Sequence, residues 1–265
     1  MAFLKRIAGN PKEEELRRLG IPLTHLAARH LRDLAALRRL LRLLRVERID
    51  LVHAHLTYAA TWGALAARLT AVPCLASLHL PPSAESAWSR PGLRERLMAF
   101  LLRRWSAGAI AVSGAVREAY VRRGLLDPSR VAVVHNGIDL TAFAEAPAAA
   151  RAERRRELDL PLEAKLVTTV SVLREGKGLE VLLRAASAVL ESDPRARILV
   201  VGDGPLAPTL HAQARAAGLG DGVRWAGFRR DVPSLLAASD LFVLPSLHDA
   251  FPTVLLEAMA AGLAV

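Results

Sequence analysis

The chain has 265 residues, 52% of them hydrophobic but only 5% aromatic, and a net charge of +10 built from 32 arginines and four lysines against 26 acids. That length can bury one large core or two smaller ones, and the single cysteine, Cys74, excludes an intramolecular disulfide or thiolate cluster and fits a reducing compartment. No apolar run reaches the ~18 residues of a membrane span, the first ten residues turn charged too soon for a secretory signal, and no helix-turn-helix, zinc-finger or stacking pattern points to nucleic acid.

A charged helix over residues 12–19 leads into a short strand over 20–26. Leu34, Leu37, Leu41 and Leu44 then recur at helical spacing, with Arg38, Arg39, Arg42 and Arg45 on the other side. This basic amphipathic helix feeds residues 49–55, which read as a buried parallel strand. Its leucines are therefore expected to pack on a sheet; insertion into an anionic bilayer, the alternative, needs them free. The arginines could still touch lipid headgroups, so the expected location is cytoplasmic, with peripheral contact at the inner membrane face left open. A helix over 58–69 and a strand over 72–79 follow. His79 thus lies at a strand's carboxyl end, where open α/β sheets hold ligands, and is a candidate site residue. His53 and His55, in or at the end of the preceding strand, are read as structural. Next come a helix over 91–105, a strand over 107–112 and a helix over 115–123 closed by Gly124. Residues 130–139 read as a strand ended by an Asn136-Gly137 turn, and 142–156 as a linker with its own helix.

A second alternation begins with a strand over 165–173, a loop over 174–178 and a helix over 179–190. Gly178 permits close backbone approach, and Lys177 adds a cation at the positive end of the helix dipole, a diphosphate clamp in kind though not a P-loop. A strand over 197–201 ends in Gly202-Asp-Gly-Pro205, and Val223–Phe228 precedes Asp231-Val-Pro233 and a helix to 238. The strand over 241–244 then breaks at Pro245-Ser246 into a polar loop before a helix over 253–261. A helix N-terminus at a strand's carboxyl end suits an anion such as phosphate, which makes Phe251, Pro252 and the backbone N–H groups of Thr253 and Val254 candidate binding groups. Asp249 and Glu257 flank that seat. Carboxylates beside a phosphate usually grip hydroxyls, and a nucleotide-sugar offers ribose, diphosphate and hexose together.

These motifs, in this order, resemble the retaining glycosyltransferases of glycosyltransferase family 4. Pro245, Ser246, Phe251, Glu257, Ala258, Met259, Ala260 and Gly262 match the family's signature, as do Ser77-Leu-His79, Val112-Ser-Gly-Ala-Val116, the segment ending at Asp139, Lys177-Gly178, Gly202-x-Gly-Pro205 and Val223 to Pro233. Departures are Asp249 where Glu is usual, Ala250 where Gly is usual, and Val172 where Arg is usual; Arg174 is the stand-in. The resemblance implies an α/β chain of two facing Rossmann-like domains (GT-B): residues 1–140 on the acceptor side, a linker over 141–160, and a nucleotide-sugar domain over 161–265. Both domains are expected to be incomplete, the first lacking its opening strand and Gly-Gly loop and the second stopping at Val265, so that little transfer is expected of the chain alone. His79, Lys177 and Asp249 take the catalytic roles. Arg174, Lys177, Gly178, Gly202, Asp249, Phe251, Pro252, Thr253, Val254 and Glu257 bind the substrate, with Glu257 on the ribose, Asp249 on the hexose and His79 orienting sugar or acceptor. No metal or other cofactor is called for beyond the nucleotide diphosphate sugar donor. The acceptor is left open, a lipid-linked one included, in glycan, glycolipid or cell-envelope synthesis. A sugar-nucleotide epimerase of the same fold and a non-catalytic binder or inactive remnant stand as alternatives.

Overall fold

The computed structural model describes residues 1–3, 11–30, 33–82, 92–144 and 148–265, and these divide into two units, residues 1–135 and 136–265. Pro91 and Pro147, in the expected fourth helix and linker, lie outside the described residues.

The first unit runs β1 (Ala2–Phe3), α1 (Pro11–Arg18), β2 (Thr24–His25), α2 (Leu34–Val46), β3 (Val52–His55), α3 (Leu56–Thr70), β4 (Cys74–Leu78), α4 (Leu93–Trp105), β5 (Gly108–Ala111), α5 (Gly114–Arg122) and β6 (Val131–Val133). Strands β3-β4-β5-β6 form a parallel sheet in sequence order, and β1 pairs with β2 separately. Helix α2 begins where the Asp33 carboxylate accepts from the Ala36 N–H at 3.0 Å. It buries Ala36, Leu40 and Leu44 against Leu26, Trp62 and Ala66, with Leu37 and Leu41 at the margin of the same core. Leu34, expected on that face, is 63% exposed, because the packed row follows the i, i+4 ridge 36–40–44. The other leucines are committed to the core, but they pack chiefly on Leu26 and on Trp62 and Ala66 of α3, with Val52 of β3 only at the margin, rather than on a sheet face. Cys74 is buried in β4, and burial pushes its thiol up to about 11, so it is inert at neutral pH. No turn forms at Asn136-Gly137: the Val134 N–H joins the ladder by donating to Ala111 O at 3.0 Å, and the chain runs on without a hydrogen-bonded turn to Asp139.

The second unit runs α6 (Thr141–Ala144), α7 (Ala148–Glu157), β7 (Lys165–Val170), α8 (Leu179–Ser192), β8 (Ala196–Val201), α9 (Ala207–Ala216), β9 (Val223–Gly227), α10 (Val232–Ala237), β10 (Leu241–Phe242) and α11 (Thr253–Ala260). Its parallel sheet has the order β10-β7-β8-β9. Strand β8 shows how the sheet is covered on both sides. Ile198 and Val200 face a core with Leu182, Leu183 and Leu210, whereas Leu199 and Val201 face another with Leu158, Leu160 and Leu235. The stretch read as a linker is packed into this unit. Arg155 of α7 is only 2% exposed and donates to Ala238 O (3.0 Å), Leu162 O (2.5 Å), Ala164 O (2.8 Å) and the Asp240 carboxylate (2.8 Å). Strand β10 is shorter than its apolar run: Val243 still donates to Thr168 O at 2.9 Å, but Pro245 has no N–H to continue the ladder. Among the described residues no helix is long and apolar enough to cross a membrane.

Candidate active site

Strand order makes the site of the second unit. Because β10 and β8 both pair with β7, the loops leaving the carboxyl ends of all three strands meet. Two glycines set how closely. Gly178 has φ +67°, and a Cβ there would lie 1.9 Å from the Pro245 carbonyl oxygen; Gly202 has φ +135°, and a Cβ would lie 1.9 Å from that of Ser171. The close approach expected at Gly178 is thus to the neighbouring loop, which the Leu247 N–H also ties by donating to Gly176 O at 3.0 Å.

That contact brings together two of the sequence-predicted residues. The Lys177 ammonium donates to both carboxylate oxygens of Asp249, at 2.9 and 2.8 Å. The pair is mostly shielded from solvent, and it holds the cation beside the loop that leads into α11. At the start of that helix Pro252 is the N-cap and supplies no side-chain cap. The N–H groups of Thr253 and Val254 have no partner among the described residues, as the first turn of a helix dictates. One turn further, Glu257 is half-buried, its carboxylate has no hydrogen-bond partner among the described residues, and burial raises its pKa. The hydroxyls of Ser171 and Ser246, at the ends of the β7 and β10 segments, are shut off from solvent without partners. Arg174 is exposed, and its Nη1 touches only the Glu175 carbonyl at 3.2 Å; Val172 is 54% exposed. The cation at Arg229, in the segment matched by Val223 to Pro233, is taken up by Asp231 (2.8 and 2.7 Å) and Glu157 (2.8 Å), and these hydrogen bonds raise its pKa.

His79 belongs to the first unit, one residue past β4. Its Nε2 lies 2.9 Å from His55 Nδ1, and His53 Nε2 lies 2.8 Å from Ser77 Oγ. The His53 and His55 rings are 4.3 Å apart between centroids, and those of His55 and His79 are 5.2 Å apart. Burial, then the neighbouring His53, lowers the pKa of His79; burial, then His53 and His79, lowers that of His55. Reading His53 and His55 apart from His79 missed this cluster. The signal was present as His-x-His on one strand and Ser-x-His on the next. Among the described residues no group of three or more His, Cys, Asp or Glu side chains is arranged to hold a metal ion.

Two family models match the chain: Glycosyltransferase Family 4 over residues 4–142 and Glycosyl transferases group 1 over residues 150–265. The chain belongs to this glycosyltransferase family and has its GT-B fold. Among curated relatives, the UDP-Gal:alpha-D-GlcNAc-diphosphoundecaprenol alpha-1,3-galactosyltransferase of Escherichia coli is 28% identical over 238 residues, 88% of this chain and 61% of the relative. The D-inositol 3-phosphate glycosyltransferase of Salinispora tropica is 33% identical over 232 residues, 80% of this chain and 48% of the relative. The chain therefore spans about half to three fifths of the length of the curated relatives it matches. Among solved structures, HepE of Anabaena in complex with UDP-glucose aligns with a TM-score of 0.83 at 26% identity, over 97% of this chain and 69% of that one. WaaG, at 18% identity and a TM-score of 0.71, shares the fold.

Proposed function

We propose that the chain serves transfer of a sugar from a nucleotide diphosphate donor to an acceptor hydroxyl with retention of anomeric configuration. The observation that carries this reading is Glu257: a half-buried carboxylate, one turn behind two helix-start amides, all of them without a partner among the described residues. An unpaired buried carboxylate is unfavourable unless a ligand supplies hydrogen bonds, and ribose hydroxyls supply two. The amides of Thr253 and Val254, with Lys177 beside them, face the charge that develops on the diphosphate as the bond to the anomeric carbon breaks. Asp249 both anchors Lys177 and offers its carboxylate to the hexose. His79 is assigned the role of orienting the sugar or acceptor.

HepE, a structural relative solved with UDP and with UDP-glucose, makes UDP-glucose the first donor to try. A lipid-linked acceptor is supported by the E. coli relative, whose name gives GlcNAc-diphosphoundecaprenol. A second reading, binding without transfer, draws on Val172 in place of the family's arginine and on the closure of Lys177 by Asp249. Titration calorimetry with UDP-glucose, UDP and uridine tests the clamp. Lys177→Ala is expected to weaken both diphosphates by about 1–2 kcal/mol and leave uridine unchanged, because the ammonium acts on phosphate charge. Equal losses for all three ligands would place Lys177 elsewhere, and tight binding with no donor turnover in the presence of acceptors would favour the binder.

A further inference from the structure

The two strands that carry the histidines are aligned in parallel, with His53 opposite Leu75 and His55 opposite Ser77. Side chains two residues apart on a strand share a face. His53 and His55 therefore stand side by side, as do Ser77 and His79. Each histidine of β3 bonds not to the residue opposite but to the one two further along: His53 to Ser77 and His55 to His79, both 24 residues away in sequence. The result is two rungs with one stagger.

We infer that His55 is a positioning residue for His79, holding its ring by the Nδ1···Nε2 hydrogen bond so that Nδ1 of His79 is the nitrogen left to meet a ligand hydroxyl. The inference rests on the proposed role of His79. A hydrogen bond between two neutral imidazoles needs one ring to donate and the other to accept, so His55 couples its own tautomer to that of His79. When His55 donates, His79 carries its proton on Nδ1 and presents a donor; when His79 donates, its Nδ1 is bare and accepts from a hydroxyl. In both cases the free nitrogen is the same. Burial and the proximity of His53 keep His79 less basic than an ordinary histidine, which favours the neutral pair. His55 is itself well placed to be rigid. It is the last residue of β3, and the chain turns away at Leu56 with φ +71°, a left-handed conformation that non-glycine residues disfavour. Backbone of this kind gathers where geometry matters to function. The His53–Ser77 rung repeats the arrangement one step below, and its ring flanks His55 at 4.3 Å.

The test uses the full chain, 15N-labelled, with long-range proton–nitrogen spectra of the histidine rings at neutral pH and His79 assigned by His79→Gln. In the wild type the His79 ring should hold one tautomer. His55→Phe keeps an aromatic ring but removes the hydrogen bond, and should turn the His79 signals to a tautomer average. His55→Asn, whose amide can occupy the place of Nδ1, should restore them. Unchanged His79 nitrogen shifts in His55→Phe would overturn the inference. Calorimetry on the same variants supplies the functional readout, the ratio of UDP-glucose to UDP affinity. The ratio should fall roughly tenfold in His79→Gln, as for one lost hydrogen bond to the sugar, and fall alike in His55→Phe but not in His55→Asn. A drop in His79→Gln with none in His55→Phe overturns the positioning role and keeps that of His79. No drop in His79→Gln overturns the role of His79 on the sugar, and the positioning role with it, while the spectra still decide whether the two rings are paired.

Discussion

The two ends of the second sheet use polar groups in opposite ways. At the amino end the buried Arg155, Thr168 and Ser239 side chains all reach partners. Arg155 donates to three carbonyls and to Asp240, Asp240 also accepts from the Leu166 N–H at 2.7 Å and from Arg151, and Thr168 Oγ1 meets Ser239 Oγ at 2.6 Å. At the carboxyl end the Ser171 and Ser246 hydroxyls, the Glu257 carboxylate and the first amides of α11 have no partners among the described residues. Buried polar groups are ordinarily paired, since each one left alone costs on the order of 1–3 kcal/mol. A fold that completes one end and leaves the other open concentrates that cost where a ligand can remove it. On the proposed reading the amino end serves stability and the carboxyl end serves binding.

The largest effect expected from this division is on stability. Arg155→Ala takes the Arg155 donor from three carbonyls and one of three partners from the Asp240 carboxylate, and should lower unfolding free energy by about 3 kcal/mol, the lower part of the range for breaking a buried pair, because Asp240 is partly solvated and keeps the Leu166 N–H and Arg151. Asp240 also brings a pH dependence. Burial works against its ionisation, but the Leu166 N–H, Arg151 and Arg155 outweigh it and hold its pKa below the usual value. A depressed carboxylate stabilises above its unfolded-state pKa, and that contribution is lost as pH falls through the folded-state value. Urea melts over an acid series should show the wild type losing this part and Arg155→Ala losing somewhat less of it, because the Leu166 N–H and Arg151 still hold the Asp240 carboxylate. UDP affinity of the folded fraction should not change. A weaker affinity would mean that the two ends are not separate.

Glu257→Gln reverses the pattern. Loss of a charged partner for ribose should weaken UDP by about 1.5–3 kcal/mol, measured by calorimetry. The ligand-free protein should become more stable at neutral pH. Burial raises the pKa of Glu257, so its ionised form is disfavoured in the folded state; the penalty is present above that raised value and fades as pH falls through it. The stability gain of Glu257→Gln should therefore disappear in acid. A variant that binds UDP as tightly as the wild type would remove Glu257 from the site.

How much of this could be read beforehand depended on the range over which residues interact. The continuous apolar run of β8, the breaks at Gly202 and Pro245 and the helix start at Thr253 are local, and all were legible. Fold family was legible for the same reason, as an ordered string of short motifs. The Lys177–Asp249 pair was not: its partners are 72 residues apart, and they meet because β10 inserts beside β7, a fact of strand order. Nor does composition separate Arg155 from Arg154 and Arg156. Three arginines in an alanine-rich stretch read as a linker with its own helix, and only the docking of α7 selects the middle one for burial. The histidine rungs fall between these cases. Their spacing was visible, but their pairing required β3 and β4 to be neighbours in a known register.

Arg174 offers the smallest expected effect and the sharpest test of the carboxyl end. The family's arginine position is held by Val172, whose side chain is half in solvent, and two residues on stands Arg174, which is bound to no carboxylate among the described residues. Its guanidinium is exposed and rests on a single carbonyl, so it keeps most of its hydrogen-bonding capacity and most of its solvation. An exposed cation meeting a phosphate is worth ~0.5–1 kcal/mol and is screened by salt over about 10 Å at 0.1 M. Arg174→Ala should accordingly weaken UDP about two- to fivefold at low ionic strength and hardly at all in 0.5 M salt, whereas the loss in Lys177→Ala, a shielded group, should persist. Val172→Arg in the Arg174→Ala background should restore the affinity, since an exposed position accepts the longer side chain without repacking. If Arg174→Ala is silent even at low salt while Val172→Arg alone tightens UDP, then the arginine is absent in effect as well as in position, and the diphosphate is held by Lys177 and the amides of α11 alone.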